Sequence, residues 1–342
     1  MASKLRFKPI SHSWVALHPN PKGVIQFVGG AFFGTFGPMF FYRHLLRYLY
    51  EKSYTIVLLP FNFSFDHYRE AIFLVKEQYH ILPDLVRLAM LAGYDHQFYL
   101  KDSNYYWIAH SIGCKYVSLL EAFSALPDDK SEATQFIREL LKNLPDESYS
   151  ETAIEKVVAQ IDRLFGDLQI EAKSTQKLIH DYQQSIGQSY DESAESIFLN
   201  LFIKNQPSVL LAPCTSDTSS AVKPKAFARL VDKWGMGVKP TTATTCALIK
   251  QSDLFGLLGL VCFQSDKIAA ETCQWFLEVL KKPSRENQKY LNGGHLRPLG
   301  VQLVNHVVNP FFDWPLLTLT DKRNAALEDL MSELLESFSA RI

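Results

Sequence analysis

Short runs in which nearly every residue is apolar alternate along this chain with stretches whose apolar residues recur every three to four positions. VIQFVGG (24–30), YTIVLLP (54–60), NYYWIAH (104–110), SVLLAP (208–213) and LLGLVCFQ (257–264) are of the first kind. A run this short with no polar alternation reads as a strand buried on both faces. KYLNGGH (289–295) adds a shorter strand that runs into a glycine turn. Between the strands, GPMFFYRHLLRYLYE (37–51) is predicted helical with Pro38 at its start, and 66–94 is predicted as two helical segments interrupted near Pro83. The pattern turns helical again over 111–123 and stops near Pro127; AETCQWFLEVLKK (270–282), VQLVNHVV (301–308) and 322–340 are the remaining predicted helices. Buried strands separated by helices imply a mostly parallel central sheet with helices on both faces, an α/β fold.

The segment 128–203 breaks this rhythm. It holds fifteen acidic and seven basic side chains, and its helix-period runs are opened by Ser, Asp and Glu with no strand-like run among them. It is expected to be an inserted helical subdomain, with 1–127 and 204–342 forming the core. Its apolar stripes (Ile137, Leu140, Leu141, Leu144; then Ile154, Val157, Val158, Ile161, Leu164) require burial somewhere.

Composition narrows the function classes. The 342 residues are 47% apolar and 21% charged, with a formal net charge of −1, which gives no global attraction to nucleic acid or anionic lipid. The N-terminal MASKLRFKPISHSW has basic residues but no apolar run behind them, and no apolar stretch reaches the ~20 residues of a membrane span. A cytoplasmic protein is expected, with a peripheral membrane contact left open. The five cysteines include no CxxC pair and no zinc-ribbon spacing, so they read as packing residues, and neither a metal nor a cofactor is expected.

Four places carry chemistry. In WIAHSIGC (107–114) a buried strand reaches Ala-His-Ser-Ile-Gly and passes at once into a helix. A tight turn there would lift the Ser111 side chain above the sheet, and the small flanking residues let strand and helix backbones approach. The helix start also offers the Ile112 N–H to a developing oxyanion. FVGGAFFG (27–34) ends the first long strand in a glycine pair that can present the N–H of Ala31, or of Phe32, toward the same point. A phosphate-binding loop is the competing reading, but GGAFFG does not match GxGxxG and lacks a Walker lysine. In VCFQSDKIAAET (261–272) Asp266 follows a strand and could hold a histidine in the required tautomer, or could merely cap the next helix. In LNGGHLRP (291–298) two glycines let the backbone bring His295 over the strand ends. Asp217, after SVLLAP, competes for the acid role, whereas the short loop before the His295 strand favours Asp266.

Ser111, Asp266 and His295 thus occur in the order Ser…Asp…His, each just beyond a strand. On these four motifs the chain resembles the α/β-hydrolase superfamily, and in detail the DUF1350 family of cyanobacteria and plants. The resemblance implies an eight-stranded, mostly parallel sheet and a Ser111–His295–Asp266 triad, and it implies no substrate. Lids of such folds often follow the sixth strand, whereas the insertion here precedes SVLLAP. Phe32, Phe33 and Phe36 crowd the oxyanion loop and are expected, with His110, to line a pocket for an apolar acyl group. The expected activity is that of an esterase, lipase or thioesterase on a small-molecule or lipid acyl substrate. An acyltransferase with the same triad and a non-catalytic binding or interaction protein remain open. The 128–203 helices are expected to cover the Ser111 face, or else to pack only on one another.

Overall fold

In a computed structural model the described residues are 4–127, 129–144, 149–185, 202–204, 206–215, 237–252, 259–303, 306–310, 317–320 and 325–339. Eight strands form one sheet: β1 (Lys8–Ile10), β2 (Ser13–Ala16), β3 (Gly23–Val28), β4 (Tyr54–Leu58), β5 (Tyr105–His110), β6 (Ser208–Leu211), β7 (Gly259–Phe263) and β8 (Gln288–Leu291), in the order β1-β2-β4-β3-β5-β6-β7-β8. The first two run antiparallel, and β4 through β8 pair in parallel. Every residue of β3 to β7 is buried, as their unbroken apolar runs require. The chain leaves β3 toward β4, then crosses back so that β5 lies on the other side of β3. The carboxyl ends of β3 and β5 therefore flank the point at which the winding reverses, where open α/β sheets hold their ligands.

Short helices α1 (Ala31–Thr35) and α2 (Pro38–Phe41) follow β3 and lead into α3 (Arg43–Glu51), so the single helix expected over 37–51 is split at Tyr42. The long α4 (His67–Leu91) is continuous through Pro83, where two segments were expected. A proline cannot donate to the carbonyl four residues back. That carbonyl, on Tyr79, instead accepts from Thr175 Oγ1 at 3.1 Å, so a neighbouring helix repairs the defect.

The neighbour belongs to the inserted segment. After α5 (Ile112–Ser124), α6 (Lys130–Lys142) and α7 (Glu151–Ser185) form an antiparallel pair, joined along one edge by Lys130–Asp162, Arg138–Glu155 and Lys142–Glu151. The stripe residues Ile137, Leu141, Ile154, Val158 and Ile161 are buried. α7 runs along α4, from Gln160 Nε2 on Asp66 Oδ2 at 2.7 Å to the Thr175 bond. α6 reaches α8 (Thr242–Lys250), which itself packs on α5. The described part of the insertion is therefore a second helical layer on α4, α5 and α8. Its stripes are thus buried against helices of the core as well as against each other.

Beyond β7, α9 (Ala270–Gln274) continues to Leu280 in wider π-type turns. VQLVNHVV is not the expected helix. Val301–Leu303 is β9 and His306–Pro310 is β10, pairing antiparallel with each other and with β11 (Leu317–Thr320) in a separate three-stranded sheet. Branched Val at 301, 307 and 308 suits a pleated surface better than a helix, and pairing with β11 decided a run too short to read by period alone. The closing helix, α10 (Ala326–Ser339), contacts α3.

Candidate active site

Ser111 sits between β5 and α5 with φ 57° and ψ −121°, a backbone conformation that L residues rarely adopt. Its amide donates to Leu211 O at 3.0 Å, and its carbonyl accepts from Cys114 N at 3.1 Å and Cys214 N at 3.2 Å. The neighbouring strand and the helix thus both grip the turn. Gly113 is obligatory here: a Cβ would lie 2.6 Å from the Val28 carbonyl oxygen and 2.7 Å from that of Gly29. Gly113→Ala should force α5 away from the end of β3 and cost about 1–3 kcal/mol, read as a lower urea midpoint at unchanged m.

The acid and histidine loops are zipped together. Gln264 N donates to Leu291 O at 3.0 Å and Ser265 N to Gly293 O at 2.9 Å, which extends the β7–β8 pairing into both turns. Asp266 and His295 meet as a consequence. Asp266 Oδ2 lies 2.9 Å from His295 Nδ1, and His295 Nε2 lies 2.8 Å from Ser111 Oγ. A carboxylate only accepts, so Nδ1 carries the proton and Nε2 is left to accept from the serine hydroxyl. The other Asp266 oxygen accepts from the amides of Ile268 at 2.8 Å and Ala269 at 2.9 Å. One Asp266 oxygen thus faces the histidine and the other holds the loop before α9, whose N-cap is Ala269 with no side-chain cap bond. Burial alone would raise its pKa, but the bonds from His295 and from these two amides outweigh burial and hold it below the usual carboxylate value.

The glycine loop closes the third side. A Cβ at Gly30 would lie 3.3 Å from Ser111 Cβ, so the β3 loop passes directly against the serine. Ala31 and Phe32 open α1, and Ile112 opens α5. The first amides of a helix have no acceptor within it, which leaves these three N–H groups available to an anion. The Gly30 amide, by contrast, is taken by Tyr42 Oη at 2.8 Å.

The sequence profile of the family described as "Protein of unknown function (DUF1350)" matches residues 6–317. The chain belongs to the DUF1350 family. No curated protein matches it. Solved structures similar to this DUF1350 chain include esterase B from Lactobacillus rhamnosis, at 14% identity over 96% of this chain and 81% of that one, with a TM-score of 0.44. TT1662 from Thermus thermophilus is 9% identical over 98% and 99% of the two chains, with a TM-score of 0.41. A thermophilic esterase, Est2, from Thermogutta terrifontis is 12% identical over 86% and 81%, with a TM-score of 0.37. The sheet order and the turn at Ser111 are those of an α/β-hydrolase fold.

Of the residues expected to line a pocket in this DUF1350 chain, His110 does not. It is 1% exposed, with Nδ1 2.7 Å from Tyr42 Oη and Nε2 2.8 Å from the His295 carbonyl oxygen. The carbonyl requires a proton on Nε2, so Tyr42 donates to Nδ1 while accepting from Gly30. Burial, with His295 beside it, pushes the His110 pKa down to about 3, so the ring stays neutral. Tyr42 and His110 thus tie the glycine loop to the His295 backbone. Tyr42 was missed because its apolar helical setting reads as ordinary core, and His110 was misassigned because adjacency to Ser111 does not reveal which way a strand-end side chain points. Tyr42→Phe should leave the Gly30 amide and His110 Nδ1 unpaired and cost about 1–3 kcal/mol in urea unfolding. Phe32 and Phe33 lie on the single turn of α1 rather than in an open loop; Phe32 and Phe36 are exposed, with ring centroids 5.2 Å apart. Cys114 and Cys214 are buried, and burial raises the Cys114 thiol well above its ordinary value, in keeping with packing. Asp217 lies outside the described residues. Among those residues no cluster of His, Cys, Asp or Glu could hold a metal ion, and no helix is long and apolar enough to cross a membrane.

Proposed function

We propose that this protein is a serine hydrolase that cleaves apolar acyl esters through an acyl-enzyme on Ser111. One observation carries the reading: an unbroken hydrogen-bonded chain from Asp266 Oδ2 through His295 to Ser111 Oγ, at 2.9 and 2.8 Å. Such a chain, rooted at one end in backbone amides and ending at the other in a serine on a strained turn, is what nucleophilic catalysis needs. His295 takes the hydroxyl proton as Ser111 Oγ bonds to the acyl carbon. The oxygen of that carbonyl gains negative charge and draws on the N–H groups of Ile112 and of Ala31 or Phe32, a donor of this kind being worth ~3 kcal/mol. Collapse expels the alcohol, which takes the proton from His295. Water, deprotonated by the same imidazole, then releases the acid. Phe32, Phe33 and Phe36, on the segment that follows the glycine loop packed against Ser111, support an acyl chain rather than a sugar or peptide.

The test is incubation of the full chain with a fluorophosphonate, read by intact mass and by peptide mapping. The expected result is one adduct, on Ser111, and turnover of p-nitrophenyl esters that improves from acetate to longer chains. An unlabelled chain would assign it instead to the non-catalytic binders of this fold. Labelling together with acyl transfer to added alcohols in preference to water would make it an acyltransferase.

A further inference from the structure

Two segments that leave neighbouring strands contain no charged residue at all: 29–42, which starts against Ser111 after β3 and includes α1 and α2, and 59–65, after β4, in a chain that is 21% charged. They carry phenylalanines that the fold does not bury. Phe32 is 56% exposed, Phe36 64%, Phe40 46%, Phe63 69% and Phe65 39%. Phe32, Phe33, Phe36, Phe40 and Phe41 form one cluster of ring contacts, with centroids 4.9 to 6.3 Å apart. Thr35 Oγ1, which bonds to Phe61 O at 3.3 Å, joins the two loops. Across the Ser111 turn, Ile268 on the acid loop is 52% exposed. Of the other exposed large apolar side chains among the described residues, Leu91, Ile170, Leu178 and Val279 are scattered over helix surfaces, and Tyr290 stands on β8. Six of the eleven exposed large apolar side chains thus lie on three segments that leave the carboxyl ends of β3, β4 and β7.

We propose that this face docks on a phospholipid surface carrying anionic headgroups, and that substrate reaches Ser111 from that surface. Five half-exposed rings offer roughly 500 Å² of apolar area. That is at the upper end of what a monomer exposes and below the ~800 Å² per partner of a stable protein interface, so a second copy of the chain is poorly served. A bilayer demands neither shape complementarity nor hydrogen-bond partners from the patch, and aromatic rings partition well into its interfacial zone. The charges at the border fit as well. Exposed Lys239 donates its amide to Phe65 O at 2.7 Å, and exposed Lys267 precedes Ile268. Of the carboxylates beside this face, Glu70, which accepts from Asn62 N at 2.9 Å, is buried, and Asp66 accepts from Arg69 N and Gln160 Nε2. Lysines beside an apolar patch draw it toward anionic leaflets.

Only the entry of substrate in this proposal rests on the hydrolase reading; the docking is tested without chemistry. The full chain carrying Ser111→Ala is sedimented with vesicles of phosphatidylcholine and with vesicles of phosphatidylcholine and phosphatidylglycerol. Binding to both, tighter to the second, is expected. Phe40→Ser with Phe63→Ser should weaken binding to both by about ten-fold per ring removed, with an unchanged thermal midpoint. Lys239→Glu should weaken binding only to the anionic vesicles. Absence of vesicle binding, or binding indifferent to the two phenylalanines, overturns the proposal. So does a dimer in solution that the same two substitutions dissociate, which would assign the face to self-association. A chain that binds vesicles but resists fluorophosphonate keeps the docking surface and loses the hydrolase.

Discussion

Replacing Ser111 by alanine is expected to lower kcat on p-nitrophenyl esters by about 10⁶ and to eliminate fluorophosphonate labelling. The remaining machinery, the amides of Ile112 and Ala31 and the His295 imidazole, would then have no atom to which the acyl group could be transferred. Loss of the serine or of the histidine alone costs about as much as loss of all three groups, because they act on one bond. The same position gives a second, independent reading. At φ 57° a Cβ is strained whatever the side chain, so alanine keeps the cost that serine carries. Ser111→Gly should therefore be as inactive as Ser111→Ala and yet more stable than it by about 1 kcal/mol, measured by urea unfolding. Equal stability of the two variants would mean that the turn is not strained. Persistent labelling of either would move the nucleophile elsewhere.

Asp266→Asn is expected to lower kcat by about 10⁴ with little change in KM. Asparagine can still accept from the Ile268 and Ala269 amides through its oxygen, so the loop keeps both bonds. What then faces His295 Nδ1 is an amide nitrogen, which donates. The imidazole is driven to carry its proton on Nε2, the atom that must accept from Ser111. Asp217→Asn should leave turnover within a few-fold of the parent, and the reverse result would assign the acid role to Asp217. The Asp266 carboxylate also couples folding to pH. Its folded pKa lies below its ordinary value, so the stability it contributes is fully present above the unfolded pKa and is lost as pH falls through the folded one. The Asn variant should accordingly show a flatter decline of the urea midpoint below about pH 4. An acid limb identical in both proteins would show that Asp266 is not held ionised by its partners.

Part of this was legible in the residue pattern because it is local. Apolar runs of five or six residues between helix-period stretches have few ways to be buried other than in a parallel sheet, and β3 to β7 follow that logic throughout. Ser111, flanked by Ala109 and Gly113, and the glycine pair at 29 and 30 were legible for a similar reason, since a close backbone approach restricts which residues can stand there. Where period and length were both short, the pattern misled. VQLVNHVV was read as a helix although it folds back on itself as the β9–β10 hairpin, because the third strand that completes the sheet, β11, lies beyond the run and leaves no trace inside it. Pro83 was read as a break because the hydroxyl that relieves it, on Thr175, is 92 residues away in sequence.

The sequence by itself determined that the chain would build a buried parallel sheet and that a serine, an acid and a histidine would each follow a strand. Local propensity and burial act on neighbouring residues, and those choices need no knowledge of the rest of the chain. Only the tertiary structure decided that Asp266 and His295 meet, because the zipping of residues 264–265 onto 291–293 is a register between strands. It alone decided that His110 points inward to Tyr42 and the His295 carbonyl. It also decided that the helical insertion packs on α4, α5 and α8. Contacts of this kind are made between surfaces that exist only after the sheet has formed, and the energy that selects them is shared among residues tens to hundreds of positions apart.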